Sequence, residues 1–269
     1  MQLTLLCIGD VVGGPGRRVL HESLPKLVRD RGVDCVIVNA ENATDGTGLS
    51  AATYEKIVAT GVHLITLGDH VYRRRDIIPV LETAANIVRP ANLPQTAPGK
   101  EVAFHTTSSG HRVAVISLLG RMFMKTPTNC PFAAVDRVLA TLPREVKIIV
   151  VDFHAEATSE KVALGWHLDG RVSVLFGTHT HIPTADERVL PKGMAYITDV
   201  GMTGPYDSVL GRLKERVVGT MISGVPSPFD VATGDVRLCG VIVSVESTTG
   251  LATKIERVRV DGPDESPRM

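Results

Sequence analysis

The stretch LTLLCIGDVVGGPGRRVLHESLPKLVRDRG, residues 3–32, shows how the chain is built. A short apolar run ends in Gly and Asp, a glycine-rich turn follows, and apolar residues then recur with helical spacing. The same order of strand, polar loop and helix returns in residues 35–61, 63–85 and 147–170. This alternation is typical of parallel sheets that are covered by helices. The sequence therefore predicts an α/β fold.

Two regions depart from this alternation. Residues 102–119 contain two strand-like runs around a Ser-Ser-Gly turn, and residues 239–260 contain two more around Thr-Thr-Gly, which is the pattern of hairpins. We therefore predict central mixed, largely parallel β-sheets that are flanked by helices. A chain of this length can form one domain, which we place at residues 1–260. Residues 261–269 are predicted to form a loose C-terminal tail.

The composition of the chain excludes several classes of function. Lys plus Arg and Asp plus Glu both number 29, so the formal net charge is zero. No overall field would then attract duplex nucleic acid or an anionic membrane surface. The start of the chain has no basic leader, and no apolar run approaches the length of a membrane span. The four cysteines are scattered without a paired spacing, which predicts a reducing compartment and a cytoplasmic protein.

Five of the predicted strands end in carboxylate, amide or imidazole side chains. Ligands of an open α/β sheet bind at the carboxyl ends of its strands, so we expect these side chains to lie along one edge. Such donors, without a thiolate, suit iron, manganese or zinc. The residues are Asp10, Glu41, Asn42, Asp69, His70, His154, His179 and His181.

Each of these residues has a structural alternative when it is taken alone. A carboxylate after a strand is often a helix N-cap, which suits Asp10 and, less well, Asp69. A histidine such as His154 is often a half-buried residue at the end of an apolar strand. His179 and His181 are a stronger pair, because alternate residues of a strand face the same way and both can reach one centre. Independent caps and core histidines do not explain why all the strand ends carry donors, whereas a shared metal centre does.

The number of donors favours two metal ions. Seven candidate ligands exceed what one tetrahedral ion needs, and two ions that share a bridging carboxylate account for them, with Glu41 as the natural bridge. Two ions about 4 Å apart lower the pKa of a bridging water and neutralise charge at a phosphoryl centre. The carboxylates of Asp10, Glu41 and Asp69 carry three negative charges against the four positive charges of two divalent ions, which leaves one positive charge before hydroxide binds. This arrangement suits an anionic phosphodiester without excluding peptide or amide hydrolysis.

Five blocks of sequence, in the order GDVVG, NAEN, GDH, DFHAE and GTHTH, resemble the metallophosphoesterase superfamily. More specifically, the chain resembles the YmdB-like phosphoesterases from Leu5 to about Gly204, through IVNAEN, DFHAEATSEK, GTHTHIPTAD and DVGMTGP. The resemblance implies a metallophosphoesterase α/β sandwich that binds two divalent ions, with iron or manganese favoured over zinc. It also implies a homo-oligomer whose substrates are small phosphodiesters, namely 2′,3′- or 3′,5′-cyclic nucleotides.

The resemblance further implies a role for each donor. A bridging hydroxide would attack phosphorus, and His70 would protonate the leaving oxygen. His70 suits that role on its own chemistry, because it adjoins a ligand and titrates in the useful range. One ion would be held by Asp10, Asn42 and His181, the other by Asp69, His154 and His179, and Glu41 would bridge them.

Three positions depart from the superfamily pattern. Val12 replaces a histidine and Glu41 replaces an aspartate, both as in the YmdB-like branch. Asp69 replaces the asparagine of Gly-Asn-His, which should tighten metal binding and reduce Lewis acidity. Because of Asp69, the alternative stays open that the protein is a non-catalytic or weakly active regulator that binds a metal or a nucleotide.

Two further alternatives come from other parts of the sequence. A metal-dependent amidohydrolase also uses an HxH pair, although at the first strand of a barrel. The run Arg73–Arg75 could meet a substrate phosphate or form a solvated helix start.

Overall fold

The computed structural model describes residues 1–262, which form a sandwich of two six-stranded sheets. The strands, in chain order, are β1 (Gln2–Ile8), β2 (Cys35–Asn39), β3 (Leu64–Thr66), β4 (Val102–Thr106), β5 (Arg112–Leu119), β6 (Ile148–His154), β7 (Val174–Thr178), β8 (Arg188–Val189), β9 (Ala195–Ile197), β10 (Gly204–Pro205), β11 (Val236–Glu246) and β12 (Ala252–Asp261). Residues 263–269, which make up most of the predicted tail, lie outside the described residues.

Each sheet keeps its parallel strands together and adds antiparallel strands around them. The first sheet has the order β10–β11–β1–β2–β3, in which β1, β2 and β3 are parallel, and β12 pairs with β11 as the predicted C-terminal hairpin. The second sheet has the order β4–β5–β6–β7–β9–β8. Its four middle strands are parallel, and β4 forms the other predicted hairpin with β5. The predicted mixed sheets flanked by helices are confirmed.

The helices cover the outer faces of both sheets. Apolar residues of α1, α2 and α3 pack on the first sheet, and those of α4 and α5 pack on the second. Within residues 1–262, none of the helices has the length and apolar character that a membrane crossing requires. The helices are α1 (Gly13–Arg31), α2 (Ala51–Val58), α3 (Ile78–Thr83, after a 3₁₀ turn at Arg75–Ile77), α4 (Pro131–Thr141), α5 (Thr158–Leu168) and α6 (Lys214–Ser223).

Alternation along the strands divides the apolar core into layers. On β1, Leu5 and Cys7 lie in the layer between the two sheets, whereas Leu6 and Ile8 lie beneath the helices. Successive side chains of a strand face opposite sides, so a strand that is covered on both faces is apolar throughout. This layering explains the continuous apolar runs of the sequence. It also leaves the carboxyl ends of the parallel strands as the places where polar side chains can gather.

Candidate metal centre

The eight side chains predicted from the strand ends come together where the two sheets meet. The first sheet contributes the residues that follow β1, β2 and β3, and the second contributes those that close β6 and follow β7. Three overlapping groups have ligand atoms within 4.8 Å of one another. These groups are Asp69, His154 and His179; Asp10, Glu41 and His154; and Glu41, Asp69 and His70.

Asp10 does not cap a helix. Val12 occupies the N-cap position of α1, and no side chain makes a cap hydrogen bond there. Asp10 is instead completely buried, and its Oδ2 accepts a hydrogen bond from the backbone N–H of His179 at 3.1 Å. Its other carboxylate oxygen, Oδ1, is buried without a hydrogen-bond partner. A buried unpaired carboxylate oxygen is costly, and a bound cation would satisfy it.

His179 and His181 share one centre, but not for the reason that the sequence suggests. β7 ends at Thr178, so the two histidines do not alternate along a strand. Both adopt left-handed backbone conformations, with φ of 93° at His179 and 66° at His181. The prediction that these histidines alternate along a strand is wrong. The two imidazoles are brought to the centre by a bent loop.

A buried ion pair holds this bend. Asp199 accepts hydrogen bonds from the backbone N–H of Thr180 at 3.3 Å and from its hydroxyl at 2.7 Å. Lys161 of α5 donates to Asp199 at 2.7 Å and to the carbonyl of Thr178 at 2.8 Å. Lys161 and Asp199 are both buried. The sequence pattern assigns no role to either residue, because a lysine within a helical pattern carries no sign of burial.

Hydrogen bonds set which nitrogen of each imidazole faces the centre. The carbonyl of Leu210 can only accept, so Nδ1 of His181 donates to it at 3.0 Å, and Nε2 faces the centre, 3.3 Å from Nδ2 of Asn42. Glu156, which the sequence pattern does not reveal, lies 3.2 Å from Nε2 of His179, so Nδ1 is the nitrogen that faces His154. A partner on the outer nitrogen is the arrangement that orients metal-binding histidines.

The ring nitrogens that face the centre and the nearby carboxylate oxygens are as far apart as ligand atoms around one metal ion. Nε2 of His154 lies 3.0 Å from Nδ1 of His179 and 3.2 Å from Oδ1 of Asp69. It also lies 3.2 Å from Oε1 of Glu41. Donor atoms bound at about 2.1 Å to one tetrahedral or octahedral ion are roughly 3.0–3.4 Å apart. The residues therefore fit a divalent metal ion.

The electrostatics of the cluster favour a cation. Burial raises the pKa of Asp10, and the His181 and His154 imidazoles offset only part of this effect. Burial also acts to raise the pKa of Glu41, but the His154 and His70 imidazoles outweigh it and hold that pKa well below its usual range. Burial acts to lower the pKa of His154, yet the charge of Glu41 and the hydrogen bond with Asp69 hold it well above its ordinary value. The same negative charge would attract a metal ion, which competes with the proton on His154.

His70 belongs to the group with Glu41 and Asp69 and lies at the edge of the cluster. Its Nδ1 is 2.8 Å from Oδ1 of Asn42 and 3.3 Å from Oε1 of Glu41, and its Nε2 is 4.0 Å from Oδ2 of Asp69. Burial acts to lower the pKa of His70, but the hydrogen bond and charge of Glu41 outweigh it and raise the pKa above its ordinary value. His70 is thus a half-buried imidazole that tends to hold a proton.

A cavity of about 290 Å³ opens over these residues. Its lining includes His70, Glu156, Thr180 and Arg212. Arg212, which the sequence analysis did not select, donates to the carbonyl of Gly46 and to the hydroxyl of Thr47, so it ties the loop after β2 to the cavity wall. The segment that carries Arg212 has no periodicity or motif, which is why the sequence did not reveal it.

The arginine run after His70 lies away from the cavity lining. Arg74 pairs with Asp45 at 3.0 Å, and Arg75 begins the 3₁₀ turn before α3. None of Arg73–Arg75 is among the residues that line the cavity.

Comparison with known proteins places the chain in a family. A family model described as YmdB-like protein matches residues 6–258. The chain belongs to the YmdB-like family. The resemblance seen in the five sequence blocks is thereby confirmed.

Relatives of this YmdB-like chain cover nearly all of it. A Bacillus subtilis (strain 168) protein named 2′,3′-cyclic-nucleotide 2′-phosphodiesterase is 44% identical over 259 residues, which are 96% of this chain and 97% of the relative. A Mycoplasma pneumoniae protein named putative phosphatase/phosphodiesterase is 37% identical over 276 residues, 99% of this chain and 95% of the relative. The crystal structure of a hypothetical protein from Thermus thermophilus is 39% identical, with a TM-score of 0.91 over 97% of this chain and 100% of that one.

Proposed function

We propose that the protein is a metal-dependent phosphodiesterase that binds two divalent ions and hydrolyses cyclic nucleotides. Membership of the YmdB-like family and relatives named as phosphodiesterases support the class of reaction. The observation that carries the proposal is the group of converging imidazole nitrogens and buried carboxylates, among which Oδ1 of Asp10 has no hydrogen-bond partner. A buried cluster of this kind is stable with a cation at its centre.

The donors divide into two sets around Glu41. Asp69, His154 and His179 form one compact group, which supports one ion site. The second site would use Asp10, Asn42 and His181, since Nε2 of His181 lies 3.9 Å from Oδ1 of Asp10 and the Asn42 side chain contacts His181 through Nδ2. Asn42 would turn its oxygen, Oδ1, toward the ion. Glu41 contacts members of both sets and would bridge them. The metal would be iron or manganese, with zinc as a further candidate, because the donors are oxygen and imidazole nitrogen.

When bound, the two ions would lower the pKa of a water molecule and neutralise charge on the phosphoryl group. His70 lies at the cavity wall with a raised pKa, so it can hold a proton for the departing ribose oxygen. Arg212 adds a positive charge to the same wall, which suits an anionic substrate. The water oxygen would form a new bond to phosphorus as the bond to the ribose oxygen breaks, and His70 would protonate that oxygen, so that one water molecule is added and the cyclic phosphodiester opens.

The size of the cavity and one relative favour a small cyclic substrate. A cavity of about 290 Å³ is near the lower limit of ligand pockets, which suits a mononucleotide better than a polymer. The Bacillus subtilis relative is named for 2′,3′-cyclic nucleotides, so we rank these substrates above 3′,5′-cyclic nucleotides.

The test combines metal analysis with hydrolysis assays. We expect purified wild type to contain Fe, Mn or Zn and to hydrolyse bis(p-nitrophenyl) phosphate and 2′,3′-cyclic nucleotides. His70→Ala should keep its metal and lose about 10²–10⁴-fold in kcat, whereas the double variant His179→Ala/His181→Ala should lose metal and activity together. His111→Ala, in the β4–β5 turn, is the matched control and should behave as wild type.

Two results would contradict the proposal. One is a wild type that binds no metal, and the other is activity that survives the loss of both His179 and His181. Metal binding without hydrolysis would instead favour a regulator that senses a metal or a nucleotide. Amide hydrolysis in place of phosphodiester hydrolysis would favour an amidohydrolase, although the two-sheet sandwich is not the barrel of that class.

We further propose one domain over residues 1–260, which the continuous apolar layers support. A cytoplasmic location and a homo-oligomer also stay predictions, the first from the cysteine pattern and the second from the family resemblance. Light scattering after size-exclusion chromatography measures the oligomeric state.

A further inference from the structure

Asp152 lies in β6, two residues before His154, and is completely buried between the two sheets. Its carboxylate accepts hydrogen bonds from Nδ2 of Asn39 at 2.9 Å, from the Thr66 hydroxyl at 2.5 Å and from the Thr178 hydroxyl at 2.7 Å. These donors come from β2, β3 and β7. Asp152 therefore joins four strands that carry residues of the candidate metal centre.

The position of the Asp152 carboxylate sets the direction of the hydrogen bonds next to it. The Thr178 hydroxyl donates its single proton to Oδ1 of Asp152, because a carboxylate oxygen is an acceptor. The oxygen of Thr178 must then accept from Nδ1 of His154, which lies 2.9 Å away. His154 therefore keeps its Nδ1 proton on Thr178 and faces Asp69 and His179 through Nε2, the nitrogen that would exchange its proton for a metal ion. The order Asp152, Thr178, His154 thus selects the metal-facing nitrogen.

The Asp152 carboxylate is also linked, through Asn39, to Glu41, the proposed bridging residue. Asn39 donates to Asp152 through Nδ2 and accepts the backbone N–H of Glu41 through Oδ1 at 3.1 Å. One buried carboxylate therefore orients a donor on each sheet.

We propose that Asp152 is a positioning residue of the metal centre, which acts through Thr178 to present Nε2 of His154 as a ligand. The inference rests on the proposed function, because it requires a metal ion at the group of Asp69, His154 and His179. A purely structural role would tie the two sheets together without changing metal affinity.

Asp152→Asn tests the hydrogen-bond relay from Asp152 through Thr178 to His154 with almost no change of side-chain shape. If the new amide group faces Thr178, the Thr178 proton turns toward Nδ1 of His154 and the metal-facing nitrogen takes the ring proton. If the new amide group faces the other way, its N–H groups point at Nδ2 of Asn39 and the hydroxyl of Thr66, which are also donors, and those hydrogen bonds are lost. We expect Mn²⁺ affinity, measured by equilibrium dialysis at pH 7.5, to fall by about 10- to 100-fold.

Two changes at Thr178 test the same relay independently. Thr178→Val removes the acceptor for His154 and should weaken Mn²⁺ binding as much as Asp152→Asn does. Thr178→Ser keeps the hydroxyl and should bind Mn²⁺ as wild type does. The double variant Asp152→Asn/Thr178→Val should lose less affinity than the two single losses combined, because Asp152 reaches His154 through Thr178.

Thr66→Val is the matched control, since it removes a donor to Asp152 that does not contact His154. It should lower the melting temperature and leave Mn²⁺ affinity near that of wild type. An unchanged affinity in Asp152→Asn, or an equal loss in Thr66→Val, overturns the positioning role. If Asp152→Asn does not fold, the comparison of Thr178→Val with Thr178→Ser decides. A wild type that binds no Mn²⁺ instead overturns the proposed function.

Discussion

Gly68 offers the sharpest test of the geometry of the metal centre. A Cβ atom on Gly68 would lie 2.2 Å from Oε2 of Glu41 and 2.4 Å from Cδ2 of His154, where ordinary contact begins at 3.4 Å. The φ of Gly68 is not left-handed, so alanine can adopt the backbone. In Gly68→Ala both neighbours must therefore retreat by roughly 1 Å, which is the scale of misplacement that costs about 100-fold in rate.

Both neighbours of Gly68 are buried, so their movement affects stability as well as activity. Overpacking of this kind costs about 1–3 kcal/mol of unfolding free energy. We expect kcat/KM for bis(p-nitrophenyl) phosphate to fall about 100-fold or more at saturating Mn²⁺. We also expect the metal content of the purified protein to drop. The assay pairs hydrolysis rates with elemental analysis of the same samples.

Gly219→Ala is the matched control. Gly219 lies within α6, and a Cβ there would meet no atom within 4 Å. Alanine should leave activity and metal content unchanged and stabilise the helix by up to about 1 kcal/mol. A Gly68→Ala protein that is folded, fully active and fully metallated would refute the inference that Gly68 abuts the reacting centre.

Three further predictions follow from charge and burial. Asp69→Asn should weaken Mn²⁺ binding about tenfold or more, because it removes a unit charge beside the ion, and should raise kcat in excess Mn²⁺; unchanged affinity in dialysis would remove Asp69 from the ligand set. Chelation with EDTA should lower the melting temperature of wild type by roughly 5–10 °C, and the same treatment should not shift the His179→Ala/His181→Ala variant. The rings of His63 and His105 stack with their centroids 4.1 Å apart; burial lowers the pKa of both, and the charge of His105 lowers the pKa of His63 further. The unfolded chain therefore binds more protons as pH falls below about 6.5, and stability is lost from there downward. His105→Phe should make urea midpoints fall less steeply between pH 7.5 and 5.5, and parallel curves for the two proteins would contradict this.

The sequence predicts the members of the candidate site better than it predicts their supports. Asp10, Glu41, Asp69 and His154 were found because each directly follows or closes an apolar run, and the carboxyl ends of parallel strands gather at one edge. What the runs do not reveal is that these ends belong to two sheets, since the pairing of β1 with β11 depends on contacts between distant parts of the chain.

The supporting residues lack a local pattern. Asp152 is a single acid within an apolar strand, and its position two residues before His154 is the one signal that could have marked it, because both side chains face the same side. Leu210 and Arg212 lie in a segment without periodicity, and their role depends on where the fold brings them. Lys161 has an ordinary place in a helical pattern, so only the packing of α5 shows that it is buried.

The left-handed backbone at His179 and His181 bears on any attempt to transplant this centre. Non-glycine residues in such conformations cost about 1–3 kcal/mol each and persist only where their surroundings impose them. Here the surroundings are the Lys161–Asp199 pair and the hydrogen bonds that it makes to the loop. A designer who copied only Gly-Thr-His-Thr-His onto another sheet would obtain a loop that relaxes and carries its imidazoles apart. A transplant of these two histidines would therefore need the pentapeptide, Lys161 on the neighbouring helix and Asp199, which hydrogen-bonds both to Lys161 and to the loop.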